Sequence, residues 1–192
     1  MDFLPKLRIW ILTIFYPILS RIGKVHMPFS RKKITSSHYR EMTKLLRPGM
    51  GILTTTNGEL ANLLIPGKWS HIGGYYGNRR VIEAIGKGVS ETDLIDFVLT
   101  KDEILIIKPK FATKSQMKIA AEWMFWQMGK PYDINFADNN EAFYCSELYV
   151  ESYVSQGFEI PWEVTKTFGV KNAVPQDFAD NPNVWEVVKQ FP

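Results

Sequence analysis

Cys145 is the only cysteine in this chain, and its setting suits a reactive thiol. It stands in Phe143-Tyr144-Cys145-Ser146-Glu147-Leu148, at the predicted start of a helix over 143–156. A helix N-terminus carries about half a positive charge and unpaired backbone N–H groups. Both stabilise a thiolate, and the same N–H groups can receive the oxyanion that develops on an attacked carbonyl. A free thiol is mostly protonated at neutral pH, so such a nucleophile needs a base beside it. Of the three histidines (His26, His38 and His71), His71 is the best placed, in Trp69-Ser70-His71-Ile72-Gly73-Gly74 at the start of a predicted strand. Glu83 follows in Val81-Ile82-Glu83-Ala84-Ile85. A carboxylate among Val, Ile and Ala needs a partner, and an acceptor on a histidine fixes its tautomer and stabilises the imidazolium. The hairpin between them poses a difficulty. An ideal turn about Asn78-Arg79 pairs Glu83 with Gly74, about 10 Å along the strand from His71, so a bulge or longer turn is required.

Plainer roles exist for each residue. A lone cysteine is more often a small buried apolar group, and a lone histidine a satisfied structural one. Tyr144 and Tyr132 are secondary candidates for donors to the oxyanion or the substrate, although aromatic residues near a helix start more often pack into a core. Glu147 reads as a structural ion pair, and Asp133 as a cap or a contact. The Trp123-Met124-Phe125-Trp126 cluster reads mostly as core.

The elements that must hold these groups are legible in outline. A helix over 37–46 closes at Pro48-Gly49, and Gly51 to Thr56 is a β-branched strand. Segments 70–76 and 80–85 form a hairpin about Gly77-Asn78-Arg79. Gly73-Gly74 inside it marks close approach of a backbone or ligand. A helical turn over 59–65 and a strand over 102–108 are also expected. The clearest helix covers 114–128, opened by a Thr113/Gln116 capping box, with Met117, Ala120, Ala121, Met124 and Met128 at helical intervals. A last strand is expected over 184–188. Strands in the middle with helices to either side make one α+β domain.

Hydrophobic residues are 45% and charged residues 22% of the 192, as in ordinary globular domains. The net charge of +3 and the absence of any nucleic-acid-binding motif give no reason to expect nucleic acid. One cysteine permits no internal disulfide, and three histidines make a His-rich metal site improbable. Residues 1–33 stand apart from the domain expected over 34–192. Ile9 to Leu19 is nearly all apolar, with Lys6, Arg8, Arg21 and Lys24 around it, and Arg31-Lys32-Lys33 follows. The run is short of the ~20 residues needed to span a bilayer. It reads either as an anchor at an anionic membrane surface, through residues 1–24, or as a helix packed on the domain. Localisation is accordingly membrane-associated on the first reading and cytoplasmic otherwise.

Several motifs together resemble one family. Tyr144-Cys145-Ser146-Glu147-Leu148, preceded by Gly129-Lys130-Pro131-Tyr132-Asp133, is similar to the permuted papain-fold amidases of the NlpC superfamily, in the YiiX-like branch. Their Pro-Gly strand opening is matched by Pro48-Gly49-Met50-Gly51-Ile52-Leu53, although Met50 stands where an acidic residue is usual. Trp69-Ser70-His71, Ile82-Glu83-Ala84 and Val174-Pro175-Gln176-Asp177-Phe178 match the remaining segments. The His-to-Glu spacing also resembles that of lecithin–retinol acyltransferase relatives. The resemblance implies a circularly permuted papain-like (NlpC-type) fold, with an antiparallel sheet packed against the nucleophile-bearing helix. It implies that Glu83 reaches His71, and that a Cys145–His71–Glu83 triad cleaves peptide or N-acyl amides without a cofactor. Two alternatives stay open: acyl transfer or hydrolysis on lipid amides or esters at a membrane surface, and a non-enzymatic binding module on the same fold.

Overall fold

The computed structural model describes residues 34–56, 65–134, 141–160, 165–167 and 170–192. The apolar and basic segment over 1–33, including His26, and nearly all of the helical turn expected over 59–65 lie outside the described residues. No helix among the described residues is long and apolar enough to cross a membrane.

Helix α1 (Ser36–Leu45) opens with a capping box. The His38 N–H donates to Thr35 Oγ1, and the Thr35 N–H donates back to His38 Nδ1. His38 is therefore a cap, satisfying donors that a helix start leaves unpaired. The β-branched run that follows forms β1 (Gly51–Thr55), buried throughout. It becomes an inner strand of a six-stranded sheet, with β2 (His71–Gly77) on one side and β5 (Glu103–Pro109) on the other. The order is β4-β3-β2-β1-β5-β8, every neighbour antiparallel, with β3 at Arg80–Ile85, β4 at Gly88–Asp93 and β8 at Trp185–Phe191. Helix α2 (Leu94–Leu99) follows β4, and α3 (Lys114–Trp126) and α4 (Cys145–Val154) pack together against β2 and β3. A small hairpin, β6 (Thr165–Thr167) and β7 (Val170–Asn172), and the short α5 (Pro175–Asp180) complete the chain.

The expected α+β arrangement is present, with corrections in detail. Strand β4, α2, the β6–β7 hairpin and α5 have no clear signal in the sequence pattern. Gly-Val-Ser-Glu-Thr-Asp is a polar edge strand, buried only at its first two positions and alternating thereafter, so it lacks an apolar run. Helix α2 is six residues long and opens on a cap in which Asp93 Oδ1 accepts from the Ile95 N–H. Helix α3 stops at Trp126 rather than Met128. Gln127 ends it and Gly129, at φ +88°, turns the chain away. Met128 is thus exposed, whereas Met117, Ala120, Ala121 and Met124 are buried as expected. Trp126 is 78% exposed, so the aromatic cluster around it is core only in part.

Gly74 and Gly49 leave room for α3 and α4 to pack closely on the sheet and its approach. A Cβ on Gly74 would run into Met124 of α3, with Tyr149 of α4 close by, and one on Gly73 would meet Val81 and Phe97 on the other face. The close approach inferred from Gly73-Gly74 is thus made by side chains on both sides of β2. Gly49, at φ +87° before β1, has no room for a side chain because the Met117 carbonyl fills the space. Its own carbonyl accepts from Tyr149 Oη at 2.9 Å and from Tyr153 Oη at 2.6 Å. These hydroxyls lie one turn apart on α4 and tie it to the opening of β1. Gly49→Ala combines a left-handed backbone with a clash against main chain. It is expected to destabilise the fold by about 2 kcal/mol or more, read from the midpoint of urea unfolding.

Candidate active site

The register of β2 against β3 decides whether His71 and Glu83 can meet. Asn78 and Arg79, at φ +51° and +62°, form the two-residue turn, flanked by the pair Gly77 and Arg80. Beyond it β2 advances two residues, from Gly77 to Tyr75, while β3 advances one, from Arg80 to Val81. Tyr76 is the extra residue of a β-bulge, and its ring is held between Phe125, at 5.0 Å, and the Arg80 guanidinium, at 4.6 Å. The ladder resumes at Gly74 with Ile82, which puts Glu83 across from Gly73 rather than Gly74. A one-residue shift moves every side chain to the opposite face. The bulge therefore turns Glu83 onto the face of His71, with only the side-chain-free Gly73 between them.

The outcome is a direct contact. His71 Nε2 donates to Glu83 Oε2 at 2.7 Å, and Thr92 Oγ1 on β4 donates to the other oxygen, Oε1, at 2.5 Å. Phe97 of α2 packs on the imidazole, with ring centroids 5.8 Å apart. Strand β2 is held from outside as well: Gln176 Oε1 on α5 accepts the backbone N–H groups of Lys68, at 2.8 Å, and Trp69, at 3.3 Å. The late Pro-Gln segment thereby pins the Trp-Ser-His approach.

Cys145 is the first residue of α4, with Tyr144 as its N-cap. The expected helix start at Phe143 is two residues early, and the correction puts the thiol on the first turn itself. The Tyr144 N–H donates to Glu147 Oε2 at 3.3 Å, so Glu147 acts here as a cap within the first turn. Asp133 is buried beside the same turn, its N–H donating to the Phe143 carbonyl. Tyr132 bridges to Phe143 and packs partly on the core, and Tyr144 is half-buried.

The electrostatics follow from these contacts. Burial alone would pull His71 down, but hydrogen bonds to Cys145 and Glu83, with the charges of both, outweigh it and push its pKa up to about 9. Burial would likewise raise the Cys145 thiol, yet its pKa is lowered by the hydrogen bond and charge of His71, by the Ile72 backbone N–H and by the Ser146 hydroxyl. Glu83 also stays below its ordinary value against the cost of burial, through His71, Thr92 and Lys101. With Nε2 given to Glu83, Nδ1 is the nitrogen left for the sulfur. The arrangement favours a thiolate–imidazolium pair, a form suited to attack on a carbonyl and to protonation of a leaving group. Four of these contributors are not marked by the sequence pattern: the Ile72 amide, Ser146, Thr92 and Lys101. Ser146 is the neighbour of Cys145 in sequence and is within reach of inspection. The other three depend on tertiary placement.

Residues 46–188 match the family described as permuted papain-like amidase enzymes, YaeF/YiiX, C92 family. The chain belongs to that family. Its papain-like amidase or peptidase character follows, as does the permuted papain-like fold with a six-stranded antiparallel sheet and packed helices. A crystal structure titled as the metalloprotein yiiX from Escherichia coli O157:H7 superposes with a TM-score of 0.62 at 20% identity, covering 77% of this chain and 99% of that one. The likeness supports the fold of this YaeF/YiiX-family chain. Comparison with curated proteins gives no match. Among the described residues, no group of three or more His, Cys, Asp or Glu side chains is arranged to hold a metal ion.

Proposed function

We propose that this member of the YaeF/YiiX amidase family is a cysteine hydrolase of peptide or N-acyl amides that works through Cys145, His71 and Glu83. The observation that carries the reading is the continuous contact from the Cys145 thiol through the imidazole to Glu83 Oε2. The thiolate attacks the amide carbonyl and a C–S bond forms. The resulting oxyanion is received by backbone N–H groups at the start of α4, with Tyr144 and Tyr132 as further candidate donors. The imidazolium gives its proton to the departing nitrogen as the C–N bond breaks, leaving an acyl-thioenzyme and a neutral imidazole. Water then attacks the thioester, His71 takes its proton, and the acid and the thiolate–imidazolium pair are released. Glu83 keeps the imidazole oriented and offsets its charge throughout.

The test is intact-mass spectrometry of protein mixed with a panel of short peptides and N-acyl amides. A mass gain equal to the acyl group, lost on hydroxylamine treatment, is the expected result. No acyl adduct and no hydrolysis across the panel, together with a Cys145 that iodoacetamide does not modify at neutral pH, would sink the reading and favour a binding module.

A second reading keeps the chemistry and changes the substrate to a lipid amide or ester at a membrane, with hydrolysis or acyl transfer as the result. Its motive is the apolar run Ile9 to Leu19 between basic residues. Deleting residues 1–24 is expected to weaken co-sedimentation with anionic vesicles. Unchanged sedimentation would remove the membrane from the reading and leave the peptide or N-acyl amide reading in front.

A further inference from the structure

Glu83 has two carboxylate oxygens, and both are used. Oε2 accepts from His71, while Oε1 accepts from Thr92 Oγ1 at 2.5 Å. A carboxylate held at one oxygen can still rotate about its last torsion, whereas one held at both oxygens is locked in plane. Strand β4 offers two hydroxyls around this group. Ser90 lies directly across from Glu83 in the ladder, and Thr92 lies one diagonal away, across from Val81. Ser90 Oγ is buried with no hydrogen-bond partner among the described residues, so only the diagonal hydroxyl is engaged. The other groups facing Glu83 are His71 from β2 and Lys101 from the loop after α2. Neither can take over the place of Thr92, because His71 is committed to Oε2 and Lys101 acts through its charge.

We infer that Thr92 is a positioning residue, a fourth member of the Cys145–His71–Glu83 line, which holds Glu83 in the orientation that lets it align His71. It touches neither substrate nor sulfur. Its effect passes wholly through the carboxylate, as an outer partner orients a ligand or a base. The inference rests on the nucleophile reading proposed above. It also gives the polar edge strand a purpose, since β4 is the element that brings this hydroxyl to Glu83.

The experiment is the rate of Cys145 alkylation by iodoacetamide at pH 7. It compares wild type, Thr92→Val, Thr92→Ser and Ser90→Ala, each also built on a Glu83→Ala background. Valine keeps the branched shape and the β-propensity of threonine, so thermal unfolding checks that the sheet is unchanged. Thr92→Val is expected to slow alkylation about tenfold, the scale of a lost hydrogen bond to a charged group. Thr92→Ser and Ser90→Ala are expected to stay within about twofold of wild type. On the Glu83→Ala background Thr92→Val should add nothing, since the two residues act as one unit. Wild-type reactivity in Thr92→Val would overturn the inference while leaving the nucleophile reading in place. So would an equal slowing with and without Glu83, which would make Thr92 a general support of the sheet. A slow, ordinary thiol in wild type would overturn the nucleophile reading itself, and this inference with it.

Discussion

Replacing Cys145 with alanine is expected to lower amide turnover by roughly 10,000-fold or more, because removing a nucleophile costs about as much as removing the whole catalytic set. The fold should tolerate the change. Cys145 is small and only 6% exposed, and alanine deletes one sulfur from the first turn of α4, where it makes no internal helix bond. The chain has no second cysteine to substitute for it. Ser146, next in sequence, is fully buried, and its hydroxyl lies 3.9 Å from the sulfur. Cys145→Ser keeps a nucleophilic atom in place but exchanges a thiol for a hydroxyl that the same imidazole cannot ionise in the ground state. It should also be close to inactive. Steady-state hydrolysis of whichever amide gives the acyl adduct, with intact-mass analysis of each variant, measures both. Turnover of Cys145→Ala comparable to wild type would mean that the nucleophile lies elsewhere.

The second large effect is in pH dependence and in His71→Ala. The sign follows from two opposite shifts. Cys145 loses its proton below the ordinary thiol value, and His71 keeps its proton up to about 9. The thiolate–imidazolium form therefore appears as pH rises through the first titration and disappears as pH rises through the second. Acylation should follow a bell whose basic limb lies near pH 9, both limbs belonging to the coupled pair rather than to either residue alone. Alkylation, which needs only the thiolate, should show the acidic limb without the basic fall. In His71→Ala the cost of burying a thiolate is opposed only by the Ile72 amide, Ser146 and the helix start. The acidic limb should move to higher pH, and amide turnover at pH 7 should fall by roughly 100- to 10,000-fold through loss of the acid–base group. Alkylation profiles that coincide in wild type and His71→Ala would show that the imidazole does not govern the thiol.

How much of this was legible before the fold was known differs from residue to residue. Cys145 stood at a helix start that local rules could place, but only the family resemblance set it above the plainer role of a small buried residue. A capped helix start is written in a few neighbouring residues, and the charge it offers a thiolate is a property of the helix backbone. The capping box at Thr113 and Gln116 and the buried Met117, Ala120, Ala121 and Met124 of α3 are local in the same way, whereas His71 stood out only through its pairing with Cys145 in the family pattern. Family resemblance added the order of the motifs, which gave the permuted topology that the sheet displays.

Glu83 marks the boundary. Its burial among apolar neighbours showed that it needed a partner, but the ideal hairpin turned it away from His71. Only the bulge at Tyr76 brings it round, and that bulge rests on a ring held between Phe125 of α3 and Arg80 of β3. Phe125 lies nearly fifty residues downstream, beyond any local pattern. Thr92 and the Ile72 amide lie wholly on the far side of the boundary, because a hydroxyl on a polar edge strand acquires a partner only when the ladder places it one diagonal from a carboxylate. By itself the sequence determined which residue types could do chemistry and which short elements would carry them, since those depend on near neighbours along the chain. The tertiary structure decided which groups touch, because in a sheet a single residue of register exchanges one face for the other.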